Sequence, residues 1–506
     1  MAFCWEITGF ARSSLTPKNP FEFPIACALN AFSCYHSLIP ESAALKARGP
    51  MGVSKGGIMG KHILGAAILA IVSGFAGSVS HVQAATFTNP KFSETTVVPS
   101  GLDPTQMEIA PDGRIFVCSK AGSLRVVKNG ALLAKPFLTV NTNAGGEQGL
   151  LGVTLHPKFP DSPYVYVYYT MMAERHNRVS RFTADGDTAA GNKETVVFDL
   201  NPLSDATNHN SGAIHFGNDG KLYVAVGNNA SSVNSQDINT TLGKILRLNP
   251  DGGIPTDNPF LDLTTGTAKA NWTTGMRNTF TFAVDRQTGR IFGCEVGDGA
   301  EEVNELIAGS NYGYGKQEGY TVPANTAGMV GTFRPAIYSW TTGGVVIAAA
   351  FYPNAGGRMF PLAFHRKFFF ANYNNGDLKV TDIDDPKNVT AFGAGAGNIT
   401  DIKFSPIDGS MYYLTRTGSK LMKVVYDTSV TVGVRTPLER LHEDEGWGMT
   451  LIQSGRIPWK QGAKGMDIYD MRGQLVYSLK ADLQKKEWLA LPSTIQNGIY
   501  FAHTLR

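Results

Sequence analysis

The chain has 506 residues, 56 of them glycine, with only 17% charged and 10% aromatic side chains. That profile belongs to a turn-rich β protein and excludes a coiled coil or a disordered chain. A net charge of +3 without a basic run gives no electrostatic ground for a nucleic-acid partner.

Residues 1–58 lack periodicity and read as an extension ahead of the true start, with Met51 and Met59 as internal methionines. Residues 59–84 read as a secretory signal. Lys61 and His62 give a short polar start, Ile63 to Ala76 is an apolar run broken by glycine, and Val82-Gln83-Ala84 is a small-residue cleavage pattern. The expected product is secreted or held at the cell surface, exported through the periplasm of a Gram-negative bacterium. Beyond the signal only Cys118 and Cys294 remain; they lie in different repeats and read as small apolar fillers. No CxxC or Cys/His cluster suggests zinc.

From Thr86 a hairpin signature recurs six times. It reads Pro111-Asp112-Gly113 before Arg114-Ile115-Phe116-Val117, then Leu155-His156-Pro157-Lys158-Phe159 before Tyr164 to Tyr169. The third copy is Gly217-Asn218-Asp219-Gly220 between Ala213-Ile214-His215-Phe216 and Leu222 to Val226. The others centre on Asp285 to Gly289, Phe364 to Lys367, and Ser405 to Gly409. Turns of this kind between apolar runs are hairpin signals. Their spacing of roughly 40 to 80 residues suits a four-stranded blade with variable loops. A small sheet that is apolar on both faces cannot bury them alone, whereas a ring of blades can. The expected fold is all-β: a six-bladed β-propeller over 86–427, then a linker over 428–464. A small C-terminal β-sandwich-like domain is expected over 465–506.

Five segments carry residues suited to chemistry. The polar loop Thr207-Asn208-His209-Asn210 delivers His209 to a strand start, where a histidine can serve as a base near neutral pH. Arg277 and Asn278 enter an apolar run, and a buried arginine needs an anionic or carbonyl partner. The acid-rich turn Glu295-Val296-Gly297-Asp298-Gly299-Ala300-Glu301-Glu302 offers hard oxygen ligands suited to Ca²⁺. Glu147-Gln148 precedes the second hairpin, and Asn311-Tyr312-Gly313-Tyr314 is a turn with aromatic walls.

Taken in order, these segments resemble the soluble glucose/sorbosone dehydrogenase family. The string Gly149-Leu150-Leu151-Gly152…His156-Pro157-x-Phe159, Ser211-Gly212 after the histidine loop, Gly275-x-Arg277-Asn278 and Asn311-Tyr312-Gly313-Tyr314 carry the likeness. The resemblance implies a propeller that uses pyrroloquinoline quinone (PQQ) and Ca²⁺ to oxidise a sugar. It implies His209 as catalytic base and Arg277 as charge stabiliser. Glu147 or Gln148, with Arg277 and Asn278, would contact the quinone, and Gly297 and Asp298 would be metal ligands. The implied reaction takes an aldose to its lactone, leaving the sugar and the electron acceptor unnamed. Two departures stand out. Asn208 occupies a position that is acidic in the glucose enzymes, and the paired arginines that hold the quinone carboxylates are missing, with Lys379, Arg358, Arg366 and Arg416 as unmatched substitutes. A non-catalytic propeller that binds glycan or protein, and a calcium-dependent lactonase, are the rival functions. The tail, with Ile468-Tyr469-Asp470 and Asn497-Gly498-Ile499-Tyr500-Phe501, resembles the sorting domains of type IX secretion. That likeness implies the secretion machinery, or attachment at the cell surface, as a partner.

Overall fold

A computed structural model describes residues 84–341, 343–353 and 359–428, and the strands of 447–505. The signal-like segment up to Gln83 and the extension before it lie outside the described residues.

The propeller has six blades, each with at least four antiparallel strands counted from the axis outward; in the first blade both Ala131–Leu132 and Leu138–Thr139 pair with Ser123–Lys128. The innermost strands are Pro104–Ile109, Leu150–Leu155, Ser211–Phe216, Thr279–Val284, Val346–Phe351 and Ile399–Phe404. Each touches the next, and the sixth touches the first, so the ring is closed. All six anticipated turns link an innermost strand to the second strand of its blade. The closing blade is shared: Phe92–Val98 pairs with Lys420–Tyr426 as its outermost strand, matching Phe92 to Tyr426 and Val98 to Leu421. Thr86–Phe87 adds a fifth strand to the fifth blade.

Period-two patterning explains why the ring holds. In the second blade Val165, Val167 and Tyr169 point to the core shared with the first blade, while Tyr166 and Tyr168 point to the core shared with the third. Every neighbouring pair of blades encloses one such apolar cluster. Each large side chain fully buried there contributes about 1.5–3 kcal/mol. Cys118 and Cys294 are buried free thiols in two of these clusters, the fillers anticipated from sequence.

Antiparallel order places the start of each innermost strand and the end of its second strand at the same mouth of the ring. His209, Arg277 and Asn278 all gather there, just ahead of the strands Ser211–Phe216 and Thr279–Val284. A cavity of ≈ 700 Å³ opens at the other end of the axis, lined in part by Glu108, His215 and Lys403.

The C-terminal part contains a four-stranded sheet ordered Trp447–Ile452, Gly498–Leu505, Gly465–Tyr469, Leu475–Lys480, and a separate pair, Arg456–Pro458 with Trp488–Ala490. Two of these strands, Trp447–Ile452 and Arg456–Pro458, fall within the 428–464 span. Trp447–Ile452 pairs with the last strand of the chain, and its partner lies too far along the sequence for a local pattern to reveal it.

Candidate active site at the mouth of the propeller

The backbone around His209 is held in sparsely populated conformations, with φ of 57° at His209 and 53° at Ser211. Such strain persists only where the surroundings over-determine it. Two contacts do so. The carboxylate of Glu147 accepts the His209 N–H at 2.7 Å, and Gly227 lies so close that an added Cβ would sit 2.0 Å from the His209 carbonyl oxygen. Glu147 also accepts from Asn278 Nδ2 at 3.2 Å, so one side chain of the second blade ties the third blade to the fourth.

The ring of His209 is fixed by a residue that the sequence reading missed. Nδ1 lies 2.8 Å from Asn228 Oδ1, while Asn228 Nδ2 donates to Ser235 Oγ at 3.1 Å. An amide oxygen can only accept, so Nδ1 carries the proton and Nε2 keeps its lone pair. Burial is the main cause that lowers the His209 pKa below its ordinary value, and the positive charge of Arg277 adds to it. The Asn228 bond and the charges of Glu147 and Asp298 oppose the shift. The ring is therefore neutral near pH 7. Asn208, which replaces an acidic residue in the likeness drawn above, is exposed. Asn228 sits directly after Gly227, at the end of the second strand. That position shares the mouth with the histidine loop, a signal available from hairpin topology alone.

Arg277 and Asn278 precede their strand and do not lie within it, which refines the expectation of a buried strand arginine. Glu295 explains their placement. Its carboxylate accepts the main-chain N–H groups of Arg277 and Asn278, the latter at 2.6 Å, and the hydroxyl of Thr279. Burial pushes the Glu295 pKa up to about 7 against these bonds. The Arg277 guanidinium donates to Tyr314 OH at 3.2 Å and to the Val296 carbonyl at 2.9 Å, and its Cζ lies 5.7 Å from the centre of the Tyr314 ring. The aromatic turn thus supports the arginine. Asn278 Oδ1 accepts both the N–H and the hydroxyl of Ser211 at 3.0 Å. His209, Glu147, Arg277 and Asn278 form one bonded unit.

Gln148 is buried, and its Oε1 has no hydrogen-bond partner. A buried acceptor without a partner is costly, and a ligand or water donor at this point would satisfy it. Gly297 and Asp298 lie in the turn after Glu295. Asp298 is 77% exposed, 4.0 Å from Arg277 Nη2, and the N–H groups of Asp298 and Gly299 point to the Glu318 carboxylate at 2.8 and 2.7 Å. Among the described residues no cluster of three His, Cys, Asp or Glu could hold a metal ion. A calcium reading of Gly297 and Asp298 therefore rests on main-chain carbonyls, with no carboxylate cage behind it.

The substitute cations fall in different places. Lys379 lies over the Trp340 ring at 4.6 Å on the third strand of the fifth blade, and Arg366 pairs with Asp384 at the end away from the mouth. Arg416 is at the mouth, paired with Asp103 at 2.9 Å, and its charge reaches Lys120. Arg358 lies outside the described residues.

A family model described as glucose/sorbosone dehydrogenase matches residues 102–423, the span of the ring and its mouth. The chain belongs to the glucose/sorbosone dehydrogenase family. It is 29% identical over 363 residues to the aldose sugar dehydrogenase YliI of Escherichia coli (strain K12), covering 68% of this chain and 95% of that protein. It is 28% identical over 301 residues to quinoprotein glucose dehydrogenase B of Acinetobacter calcoaceticus, covering 52% of this chain and 62% of that protein. Among solved structures, the soluble aldose sugar dehydrogenase of Escherichia coli in its apo form superposes with a TM-score of 0.59 at 27% identity. That match covers 66% of this chain and 99% of the other.

Proposed function

We propose that the protein is a quinone-dependent sugar dehydrogenase that removes the anomeric hydrogen and hydroxyl proton of an aldose and releases a lactone. The observation that carries this reading is the His209–Asn228 bond, which presents a neutral imidazole with Nε2 free beside the Arg277 guanidinium. Bound PQQ would supply a two-electron acceptor for hydride. The residues present fit its quinone end. Arg277 and Asn278 offer positive charge and an amide, and the unpaired Gln148 Oε1 marks a buried polar position awaiting a partner.

The chain's own groups divide the work. His209 Nε2 takes the proton from the sugar hydroxyl, and Asn228 keeps the ring in the tautomer that can accept it. Arg277 faces negative charge as it develops, from a position already set by Tyr314, Val296 and Glu295, so little reorganisation is needed during reaction.

Export, with delivery or anchoring through the C-terminal strands, completes the proposal; the signal-like pattern before Ala84 and the likeness of the tail to sorting domains support it. The deciding assay adds PQQ, with and without Ca²⁺, to the purified protein and follows dye reduction with a panel of aldoses. The expected result is saturable dye reduction that depends on quinone and sugar. Absence of both quinone binding and dye reduction would sink the enzyme reading and leave a propeller that only recognises glycan or protein.

A further inference from the structure

Lys244 opens the third strand of the third blade and is completely buried. Its ammonium is held by main-chain oxygens. Nζ donates to Asn234 O at 2.6 Å, to Leu242 O at 2.8 Å and to Ser235 O at 3.2 Å, which uses all three protons. Removing an ammonium from water costs several kcal/mol, and without a close carboxylate these oxygens must offset that cost. Burial lowers the Lys244 pKa to about 7, with the distant charge of Asp237 opposing. All three acceptors belong to one excursion, residues 227–243, which leaves the end of the second strand, forms the short helix Ser232–Gln236, and returns.

Ser235 is where this excursion meets the site. Its carbonyl accepts from Lys244 Nζ and also from the Gly275 N–H at 2.8 Å, two residues before Arg277. Its hydroxyl accepts from Asn228 Nδ2, whose other amide atom holds His209 Nδ1. The Asn228 N–H donates to the Arg277 carbonyl at 2.8 Å. The path from the buried ammonium to the imidazole therefore has two intermediates, Ser235 and Asn228, and a branch to Arg277.

We propose that Lys244 is a positioning residue for the oxidation at His209. Its Nζ gathers the 227–243 excursion by donating to main-chain oxygens and, through Ser235 and Asn228, fixes the orientation and tautomer of the His209 ring. Three main-chain oxygens of the excursion converge on its Nζ. The inference rests on reading His209 as the base, and its test is arranged so that the two can fail separately.

The full-length protein is labelled with ¹⁵N-histidine, and the His209→Gln variant assigns the His209 signals. Wild type should show Nδ1 protonated at pH 8. Lys244→Met and Ser235→Ala should each give a mixture of tautomers. Each should also lower kcat on the order of 10- to 100-fold, the usual scale for losing a group that orients a functional side chain. KM for the sugar and quinone affinity should change little. Because both lie on one path, the double variant should be no worse than the more damaging single variant. A Ser235→Ala protein that melts normally and keeps the wild-type tautomer and kcat overturns the proposal, as do single effects that multiply. If Lys244→Met does not fold, Ser235→Ala decides alone. If wild type turns over no sugar, the functional reading fails while the tautomer comparison still decides the relay.

Discussion

A histidine accepts a proton only while it is neutral, and His209 is kept neutral mainly by burial. The acid limb of kcat/KM should therefore fall below the ordinary histidine value of about 6.5, and a steady-state pH profile with a limb above that value would contradict the assignment. Asn228→Asp places a negative charge where the amide now sits, which favours the imidazolium, so the same limb should move to higher pH. His209→Ala should abolish turnover while a quinone titration shows unchanged affinity. Nearby, burial is the main cause that raises the pKa of Glu302 to about 8, against hydrogen bonds from the Gly319 N–H and Asn304. A carboxyl with a folded pKa above its unfolded value stabilises fully below the unfolded value. That contribution is lost as pH rises through the folded value. Glu302→Gln does not titrate, so its melting temperature should gain on wild type between pH 4.5 and 8; a constant difference would remove the argument.

At the level of elements, the propeller hairpins were legible because a period of two and a Gly/Asn/Asp turn are local. The reason for the Gly-Leu-Leu-Gly string was not. A Cβ on Gly152 would lie 2.0 Å from the Gly212 carbonyl oxygen, so the innermost strands of the second and third blades approach through these two glycines. Gly152→Ala should cost about 1–3 kcal/mol, the usual price of overpacking, seen as a lower melting temperature. The residue types at the site, His209, Arg277, Asn278 and Glu147, could be picked from sequence, since each is polar beside an apolar run. What joins them could not. Asn228, Glu295 and Lys244 act through hydrogen bonds to atoms 9 to 19 residues away, and nothing in their own neighbourhood marks them. Trp447–Ile452 escaped notice for the same reason, its partner strand being Gly498–Leu505.

For the whole molecule, stability is distributed among clusters between blades, so the ring is strong only when every neighbour is present. Removing residues after 428 leaves all six blades with their strands, and the truncated chain should melt and turn over as the intact one does. Removing Phe92–Val98 takes the outer strand from the closing blade, together with Phe92 and Val98 from two clusters. That deletion should abolish cooperative melting.

The closing blade also sets a timetable. Its innermost three strands come from residues 399–426 and its outermost strand from 92–98, and the Asp427 N–H reaches the Lys91 carbonyl at 2.8 Å. A nascent chain can therefore stack five blades in order on the ribosome, yet Phe92–Val98 waits as an unpaired edge until Tyr426 has emerged. Slow synthesis prolongs exposure of that edge to other chains. Because the two ends of the ring finish side by side, a circular permutant that joins 427 to 91 and opens at the Asn218–Asp219 turn makes the closing blade continuous in sequence and moves the wait to the third blade, where Leu222–Val226 must await Ser211–Phe216.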